Sequence, residues 1–328
     1  MRLPNPVLRR VAGAILTALV LAGCSSIISI DLAPRIRPLE EETVEGSGPS
    51  KILLLDLSGL LQEDTPSLSL TTPPPRVPLL ARVREELDKA EKDDKVRGVV
   101  LRINSPGGTM TASDVIYREI REFKARRKVP VIAAIMDVGA SGGYYVSLAA
   151  DQIFVHPTSI TGSIGVIMLT VNAQGLLEKI GVAPLAIKSG SLKDAGSPFR
   201  GLTGEERAVF QAVIDDMFGR FVRLVAEARK IPEARVREFA DGRIYTAEQA
   251  HALGLVDKIG YLDEAVTAAR QAAGLPEARV IMYHRPREYR ANLYSASLPP
   301  SGTDNLLTQA AGLLGGGPGA RFLYLWWP

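Results

Sequence analysis

The feature that most constrains the fold of this chain is an alternation of two sequence patterns between Lys51 and Leu169. Short apolar runs, such as Val131 to Ile135, alternate with longer segments, such as Leu79 to Lys92, in which apolar and charged residues recur at helical spacing. Continuously apolar runs are typical of strands that are buried on both faces. The alternation therefore predicts an α/β fold with a largely parallel sheet, whose functional sites usually lie at the carboxyl ends of the strands.

The individual elements follow from the same patterns. Strands are expected over Lys51–Leu57, Val96–Ile103, Val129–Met136, Gln152–Val155 and Gly165–Leu169, and helices over Leu79–Lys92, near Ser113–Arg126 and after Gly142. A long helix is expected to follow Thr203, an N-cap candidate with Glu206 at the capping-box position, and to end near Lys230. Another helix is expected from about Thr246 to Gly254, a typical C-cap residue.

The N-terminal residues predict export. Arg2, Arg9 and Arg10 precede an apolar run from Val11 to Ala22, which has the charged and apolar regions of a secretory signal. This run is shorter than the roughly 20 residues that a membrane-spanning helix needs. The sequence Leu21–Cys24 closely resembles a bacterial lipobox, whose cysteine receives diacylglycerol before cleavage on its N-terminal side.

These features predict a domain order. Residues 1–23 are expected to be a lipoprotein signal peptide and residues 24–50, with Pro34, Pro38 and an acidic run, a lipidated tether. A folded α/β domain is expected over 51–284, and an irregular C-terminal tail with an aromatic end over 285–328. Lipidation of Cys24 would anchor an exported protein to a membrane of the bacterial cell envelope, with its folded domain outside the cytoplasm. A plain signal peptide or an uncleaved anchor with a chance cysteine is the alternative.

The composition excludes several classes of protein. With 46% hydrophobic and 23% charged residues in 328, the chain is an ordinary globular protein rather than a disordered or fibrous one. A net charge of +3 provides no basic field for nucleic acid. Cys24 is the single cysteine, so an internal disulfide and a cysteine-based zinc site are excluded, and three histidines are too few for a histidine-rich metal cluster. We therefore expect no metal or other cofactor.

Two glycine-rich turns follow predicted strands. Arg102–Gly108 ends one strand in a Gly-Gly pair that permits unusual backbone angles and can direct amides outward. Asp137–Tyr145 places Ser141 between small residues at the start of a predicted helix. A nucleophilic serine needs such neighbours, because the backbone must bend sharply and the substrate must approach closely. A tight strand-to-helix connection and an N-capping serine are the alternative interpretations.

A nucleophilic serine also needs a base, and histidine is poorly supplied here. His156 precedes a proline in a loop, and His251 and His284 lie on a predicted surface helix and in the C-terminal region. Lysine is the alternative base, provided that burial or neighbouring positive charge lowers its usual pKa of about 10.4 toward neutrality. Lys193 lies in an irregular segment after a predicted strand that ends at Lys188, which is the competing candidate.

Five segments in this order resemble the signal peptide peptidase A family, in its short, single-unit form. They are Ile103–Gly108, Gly139–Tyr145, Thr161–Val166, the segment around Lys193 and Gly254–Asp257. The resemblance covers roughly residues 51–275. It implies a ClpP/crotonase-like fold with repeated β-α units and helical oligomerisation elements.

The resemblance also implies a serine peptidase with a Ser-Lys dyad. Ser141 corresponds to the nucleophile, Lys193 to the general base and Ser163 to the hydroxyl that orients the lysine, while the amides of Gly108 and Gly142 correspond to the oxyanion hole. The implied substrates are cleaved signal peptides and other extended hydrophobic peptides. The implied assembly is a homo-oligomer in which neighbouring protomers share each site.

Two other functions are compatible with parts of the sequence. A crotonase-type acyl-CoA enzyme would share the fold, but an exported protein would not meet coenzyme A, and that chemistry needs no serine turn followed by a lysine. A non-catalytic peptide-binding lipoprotein scaffold is the other alternative. The aromatic end, Arg321–Pro328, could lie at a membrane interface, pack between protomers or enter the peptide groove as an inhibitor.

Overall fold

Parallel strands form the centre of the computed structural model, which describes residues 37–62, 77–286, 292–294 and 321–326. The strands are β1 (Glu40–Glu45), β2 (Lys51–Ser58), β3 (Val96–Ser105), β4 (Gly107–Thr109), β5 (Val131–Ala140), β6 (Gln152–Val155), β7 (Ile160–Gly162), β8 (Ile167–Leu169), β9 (Ile244–Thr246), β10 (Lys258–Ile259), β11 (Arg279–His284) and β12 (Arg321–Leu325). The helices are α1 (Leu79–Glu91), α2 (Met110–Arg127), α3 (Gly142–Ser147), α4 (Gln174–Lys179), α5 (Gly204–Arg229), α6 (Glu233–Phe239), α7 (Ala247–Ala252) and α8 (Leu262–Ala272).

Within the described ranges, nine strands join in one sheet with the order β1-β11-β2-β3-β5-β6-β10, and β7 and β9 extend it beside the end of β5. The pairs from β11 through β2, β3, β5 and β6 to β10 are parallel, whereas β1 is antiparallel to β11. The alternation of strands and helices therefore gives the parallel α/β sheet that the sequence predicts.

Alternate residues of the central strands enter two apolar cores, because successive side chains of a strand point to opposite faces. On β2, Leu53, Leu55 and Leu57 pack with α1, α2 and α3, whereas Ile52 and Leu54 pack with α8. Every residue from Lys51 to Leu57 is buried, so β2 is an interior strand. Helices therefore cover both faces of the sheet beneath the loops at its carboxyl end.

The predicted α5 helix begins as expected. The side chain of Thr203 accepts a hydrogen bond from the amide of Glu206, and the Glu206 carboxylate accepts one from the amide of Thr203. This reciprocal capping box satisfies two amides that the first helical turn leaves without partners. The helix ends at Arg229, and the C-cap residue Lys230 adopts a left-handed backbone conformation with φ 55°.

Both ends of the described chain form strands where the sequence predicted irregular segments. The strand β1 lies in the predicted tether and pairs with β11, so the sheet begins at Glu40 rather than at Lys51. The Lys51 ammonium also forms an ion pair with Glu41, which links β1 to β2. The strand β12 lies in the predicted irregular tail, in a second, antiparallel sheet with the order β4-β12-β8. Neither short strand had a local signal, because each is stabilised by partners far away in the sequence.

The predicted signal peptide and Cys24 lie outside the described residues. Among the helices that the structure describes, none combines the length and apolar character needed to cross a membrane.

Candidate active site

Ser141 lies at the turn between β5 and α3 in an unusual backbone conformation. Its φ of 51° and ψ of −113° lie in a region that non-glycine residues rarely adopt. The residue is 1% exposed, and its Oγ has no hydrogen-bond partner among the described residues. The side chain does not cap α3, so the N-capping interpretation is wrong. Strain and an unpaired buried hydroxyl in one residue are typical of a functional site.

The two glycine-rich turns meet without side chains between them. A Cβ on Gly107 would lie 2.7 Å from the amide nitrogen of Gly142, and a Cβ on Gly142 would lie 3.0 Å from Cα of Gly107. A Cβ on Gly143 would lie 2.5 Å from the carbonyl oxygen of Ser105. Glycine is therefore needed on both sides of the contact that brings the Gly107–Gly108 turn next to Ser141.

The amides of the Gly-Gly pair have different environments. The amide of Gly107 donates a hydrogen bond to Oγ of Ser105, at 3.1 Å. Gly108 lies on β4 opposite Tyr324 of β12. The Gly107 amide is thus engaged within its own turn, whereas the backbone of Gly108 faces β12. Gly108 is the residue that the sequence analysis chose for the oxyanion hole.

Ser163 lies beside Ser141 because β5 and β7 are paired. Ala140 is the register partner of Gly162, and Ser163 is the next residue after Gly162. Ser163 is 6% exposed and has φ 49°, a second left-handed serine next to the first. A cleft of about 470 Å³, which Trp326 also lines, opens beside Ser163. The structure therefore brings together Ser141, Ser163 and the two predicted oxyanion glycines.

Lys193 lies away from this cluster, on an exposed segment that we call the arm (residues 170–202). Its side chain is exposed, and its only hydrogen bond within the described residues runs from its amide to the carbonyl of Gly190, at 3.1 Å. No hydrogen bond within the described part of the single chain joins Lys193 to Ser141 or Ser163.

Lys188, the competing candidate, has partners of its own. Its ammonium forms an ion pair with Asp194 and donates to the carbonyl of Ser191. The prediction that Lys188 ends a strand is wrong, because residues 182–188 are irregular. Leu185 and Ile187 in this stretch are 87% and 97% exposed, so no described strand covers them.

Charged groups fix the end of the arm that leads into α5. The guanidinium of Arg200 bridges the carboxylates of Asp194 and Glu206. Its hydrogen bonds, together with the amide of Thr203, lower the pKa of Glu206 to about 2. Hydrogen bonds from Arg200 and Lys188 likewise hold the pKa of Asp194 well below its usual range. Arg200 thus ties the segment that carries Lys193 to the first turn of α5.

Sequence comparison relates this chain to known peptidases. A profile described as Peptidase family S49 matches residues 123–276, and one described as Clp protease matches residues 76–161. A relative from Enterococcus faecium, named as a signal peptide peptidase SppA, is 38% identical over 74% of this chain and 70% of its own length. The chain belongs to peptidase family S49.

Other S49 relatives are named as proteases. One from Methanocaldococcus jannaschii is 41% identical over 60% of this chain and 63% of its own length. The chloroplastic serine protease SPPA of Arabidopsis thaliana is 36% identical over 58% of this chain and 28% of its own length. The protein is therefore a serine peptidase. The Clp profile and the parallel sheet with helices on both faces confirm the predicted ClpP-like α/β fold.

One side-chain network in this S49 peptidase was missed from the sequence. The hydroxyl of Tyr145 donates to Asp114 at 2.6 Å, and Arg220 donates to the same carboxylate oxygen at 2.6 Å. Burial and the bond to Asp114 raise the pKa of Tyr145 above its usual range, so it stays neutral. Tyr145 belongs to the motif around Ser141, but its partners come from α2 and α5, which sequence spacing does not connect.

Proposed function

We propose that this S49 peptidase is a membrane-anchored serine endopeptidase that degrades cleaved signal peptides and other extended hydrophobic peptides with a Ser-Lys dyad. The observation that carries the proposal is the buried, unpartnered hydroxyl of Ser141 at a strained turn against the Gly107–Gly108 pair. A hydroxyl in this position has no structural partner to lose when it attacks a substrate.

In the proposed reaction Ser141 attacks the peptide carbonyl while a neutral lysine takes its proton. The negative charge that develops on the carbonyl oxygen would be stabilised by the amides of Gly108 and Gly142, and one such donor is typically worth about 10²- to 10³-fold in rate. The lysine then protonates the leaving amine, and water releases the acyl group from the serine.

We assign the base to Lys193 of a neighbouring protomer. A lysine becomes neutral near pH 7 only when it is removed from water or placed beside other positive charge. The arm has an exposed apolar surface that contact with a second copy would bury, formed by Val171, Leu176, Ile180, Val182, Leu185, Ile187, Leu192, Phe199 and Leu202. Such a contact would remove Lys193 from water and could bring it to another protomer's Ser141. Lys188 suits this role less well, because Asp194 neutralises its charge.

Ser163 would orient the lysine in this arrangement. It is the residue next to Ser141 across the β5–β7 pair, and its amide donates to the carbonyl of Arg243 at 2.8 Å. That bond fixes the backbone from which the hydroxyl projects. A hydroxyl is a suitable acceptor for one lysine N–H, which leaves the nitrogen lone pair for the proton of Ser141.

The name of the Enterococcus relative supports signal-peptide fragments as the substrate class. The predicted lipidation of Cys24 would hold the peptidase where such apolar fragments arise, outside the cytoplasm. Intact-mass measurement of the mature protein tests the anchor directly. We expect cleavage before Cys24 and the added mass of a lipid, and an unmodified Cys24 would contradict anchoring without affecting the chemistry.

The activity is tested by hydrolysis of a fluorogenic peptide derived from a signal sequence, using the full chain in detergent. We expect Ser141→Ala and Lys193→Ala each to lose about 10³-fold or more in kcat/KM. Lys179→Ala is the matched control, since Lys179 is another exposed lysine of the arm. Full activity of Lys193→Ala would contradict the base assignment. Absence of cleavage by the folded, assembled protein would favour a peptide-binding scaffold.

A further inference from the structure

The segment Gly254–Asp257 has no part in the proposed chemistry, yet it contacts the helix that follows Ser141. It forms the turn between α7 and β10, and we call it the clamp turn (residues 254–257). The carbonyl of Leu255, in the middle of this turn, accepts a hydrogen bond from the hydroxyl of Tyr144 on α3, at 2.8 Å. The tertiary structure thus joins two of the sequence motifs through one buried bond.

Tyr144 is the first residue after Ser141 whose side chain can hold α3, because Gly142 and Gly143 begin the helix without side chains. The residue is fully buried. Burial raises the pKa of Tyr144 above its usual range, so the hydroxyl keeps the proton that it donates. The position of α3, and with it the direction of the Gly142 amide, therefore depends on where the Leu255 carbonyl lies.

Arg229 of α5 fixes the clamp turn at both ends. Its Nε donates to the carbonyl of Gly254 at 2.9 Å, and its two terminal nitrogens donate to the two carboxylate oxygens of Asp257 at 2.9 and 2.7 Å. The side chain of Arg229 is 11% exposed. A planar guanidinium that makes such paired bonds fixes direction as well as distance. Leu255 lies between the two residues that Arg229 holds.

Asp257 connects the clamp turn to the central sheet. Its carboxylate accepts a hydrogen bond from the amide of Ile153 at 2.7 Å, and its own amide donates to the carbonyl of Ile153 at 2.9 Å. Ile153 lies on β6 opposite Ala133 of β5, the strand that leads to Ser141. The contacts therefore form a closed circuit from β5 through β6 and the clamp turn to α3, and Ser141 is the junction between α3 and β5.

This circuit explains how the strained backbone of Ser141 persists. A conformation with φ 51° and ψ −113° is stable only where the surrounding structure holds both sides of the residue. Neighbouring strands hold β5, whereas α3 has six residues and little stability of its own, so its side-chain contacts determine its position. A small rotation of α3 away from β5 would relieve the strain and would move the Gly142 amide.

We propose that Tyr144, Arg229 and Asp257 are positioning residues for the peptidase reaction. Acting through the clamp turn, they hold α3 so that Ser141 keeps its strained conformation and the Gly142 amide keeps its direction. The inference rests on the proposed peptidase function. It assigns a role in that function to residues that do not touch the substrate.

Tyr144→Phe in the full chain tests the proposal, because it removes the hydroxyl and keeps the ring. With the fluorogenic signal-sequence peptide we expect kcat to fall about tenfold at unchanged KM, since the reacting groups are misaligned while the substrate contacts remain. Ile52→Val is the control, because it shortens a core side chain on the opposite face of the sheet. Both variants should lower Tm by a few degrees, and the control should keep its kcat. An unchanged kcat in Tyr144→Phe would overturn the proposal.

A double variant shows whether the residues act through one turn. Arg229→Lys keeps the positive charge but loses the planar fork that bonds Gly254 and Asp257 together, so we expect a several-fold lower kcat at unchanged KM. Arg223→Lys, at an exposed arginine of the same helix, should match the unmodified protein. Tyr144→Phe combined with Arg229→Lys should lose no more than Tyr144→Phe alone. A combined loss equal to the product of the single losses would contradict the clamp.

Hydrogen exchange provides a measurement that does not depend on hydrolysis. We expect the amides of residues 142–148 to exchange faster in Tyr144→Phe than in the unmodified chain, and at the unmodified rate in Ile52→Val. Equal exchange in Tyr144→Phe would contradict the clamp even if the unmodified chain hydrolyses peptides. Absence of hydrolysis by the unmodified chain would count against the proposed function, and exchange would still decide whether the clamp turn holds α3.

Discussion

The amide of Ser141 donates a hydrogen bond to the carbonyl of Gly162 at 2.7 Å. This bond closes the β5–β7 pair at the point where each strand is followed by a serine with positive φ. The nucleophile candidate and the predicted orienting hydroxyl are therefore fixed by one backbone contact, which does not depend on either side chain.

Ser163→Gly separates the proposed positioning role of Ser163 from a structural one. Glycine adopts the φ of 49° more easily than serine, so we expect the free energy of unfolding to change by less than about 1 kcal/mol. We expect kcat to fall by about 10²-fold, because the lysine loses its orienting acceptor. Thermal unfolding measures the change in stability, and steady-state kinetics measures the fall in kcat. An unchanged kcat would contradict the positioning role of Ser163.

Gly143→Ala tests the contact between the two turns. The added Cβ would lie 2.5 Å from the carbonyl oxygen of Ser105, a backbone atom that cannot move aside alone. We expect a loss of about 2 kcal/mol in the free energy of unfolding, together with lower activity. Gly175→Ala is the control, since a Cβ there meets nothing within 4 Å. Similar unfolding curves for the two variants would argue against close packing of the turns.

Arg200→Gln should loosen the arm. The lowered pKa of Glu206 means that its pairing stabilises the fold above the ordinary carboxyl pKa, and that this contribution is lost as pH falls through about 2. At neutral pH the substitution should raise hydrogen exchange across residues 170–202 and lower kcat, because Lys193 is less well positioned. Arg207→Gln, which changes an exposed arginine of α5, should do neither. Unaltered exchange in Arg200→Gln would show that other contacts hold the arm.

Because the proposed site takes Ser141 from one subunit and Lys193 from its neighbour, two variants that are each inactive should complement one another. Subunits of Ser141→Ala and Lys193→Ala, mixed in equal amounts and allowed to exchange, should recover about one quarter of the unmodified activity, since a site needs an intact serine from one subunit and an intact lysine from its neighbour. Peptide hydrolysis measures the recovery, and subunit exchange is verified separately by native mass spectrometry. Verified exchange without recovery would place both residues in the same protomer.

The parts of the fold that sequence predicted are those with local signals. Interior strands such as β2 are apolar throughout, and Thr203 and Glu206 specify the start of α5 over four residues. The turn at Ser141 was also recognisable, because only small residues surround a serine there. In each case the residues that determine the structure are neighbours in the chain.

The parts that were missed depend on distant partners. The strand β1 exists because β11, more than 200 residues later, offers an edge to it. Tyr324 is buried because Tyr145 and Phe221 come from two other elements. Sequence indicated an aromatic tail but left three locations open, since nothing within the tail itself specifies the groove between β4 and β8.

The outer strands of the large sheet also determine how the protein resists aggregation. An exposed edge strand offers unpaired amides and carbonyls to other chains, and charged or very short edge strands discourage such pairing. In the described part of the sheet, one edge is β1, whose Glu40, Glu42 and Glu45 are exposed carboxylates. At the other end of the strand order is β10, which has two residues, and the branch beside β5 ends in β9, which has three. These edge strands therefore disfavour edge-to-edge pairing between the sheets of two copies, even when the protein is concentrated on one surface.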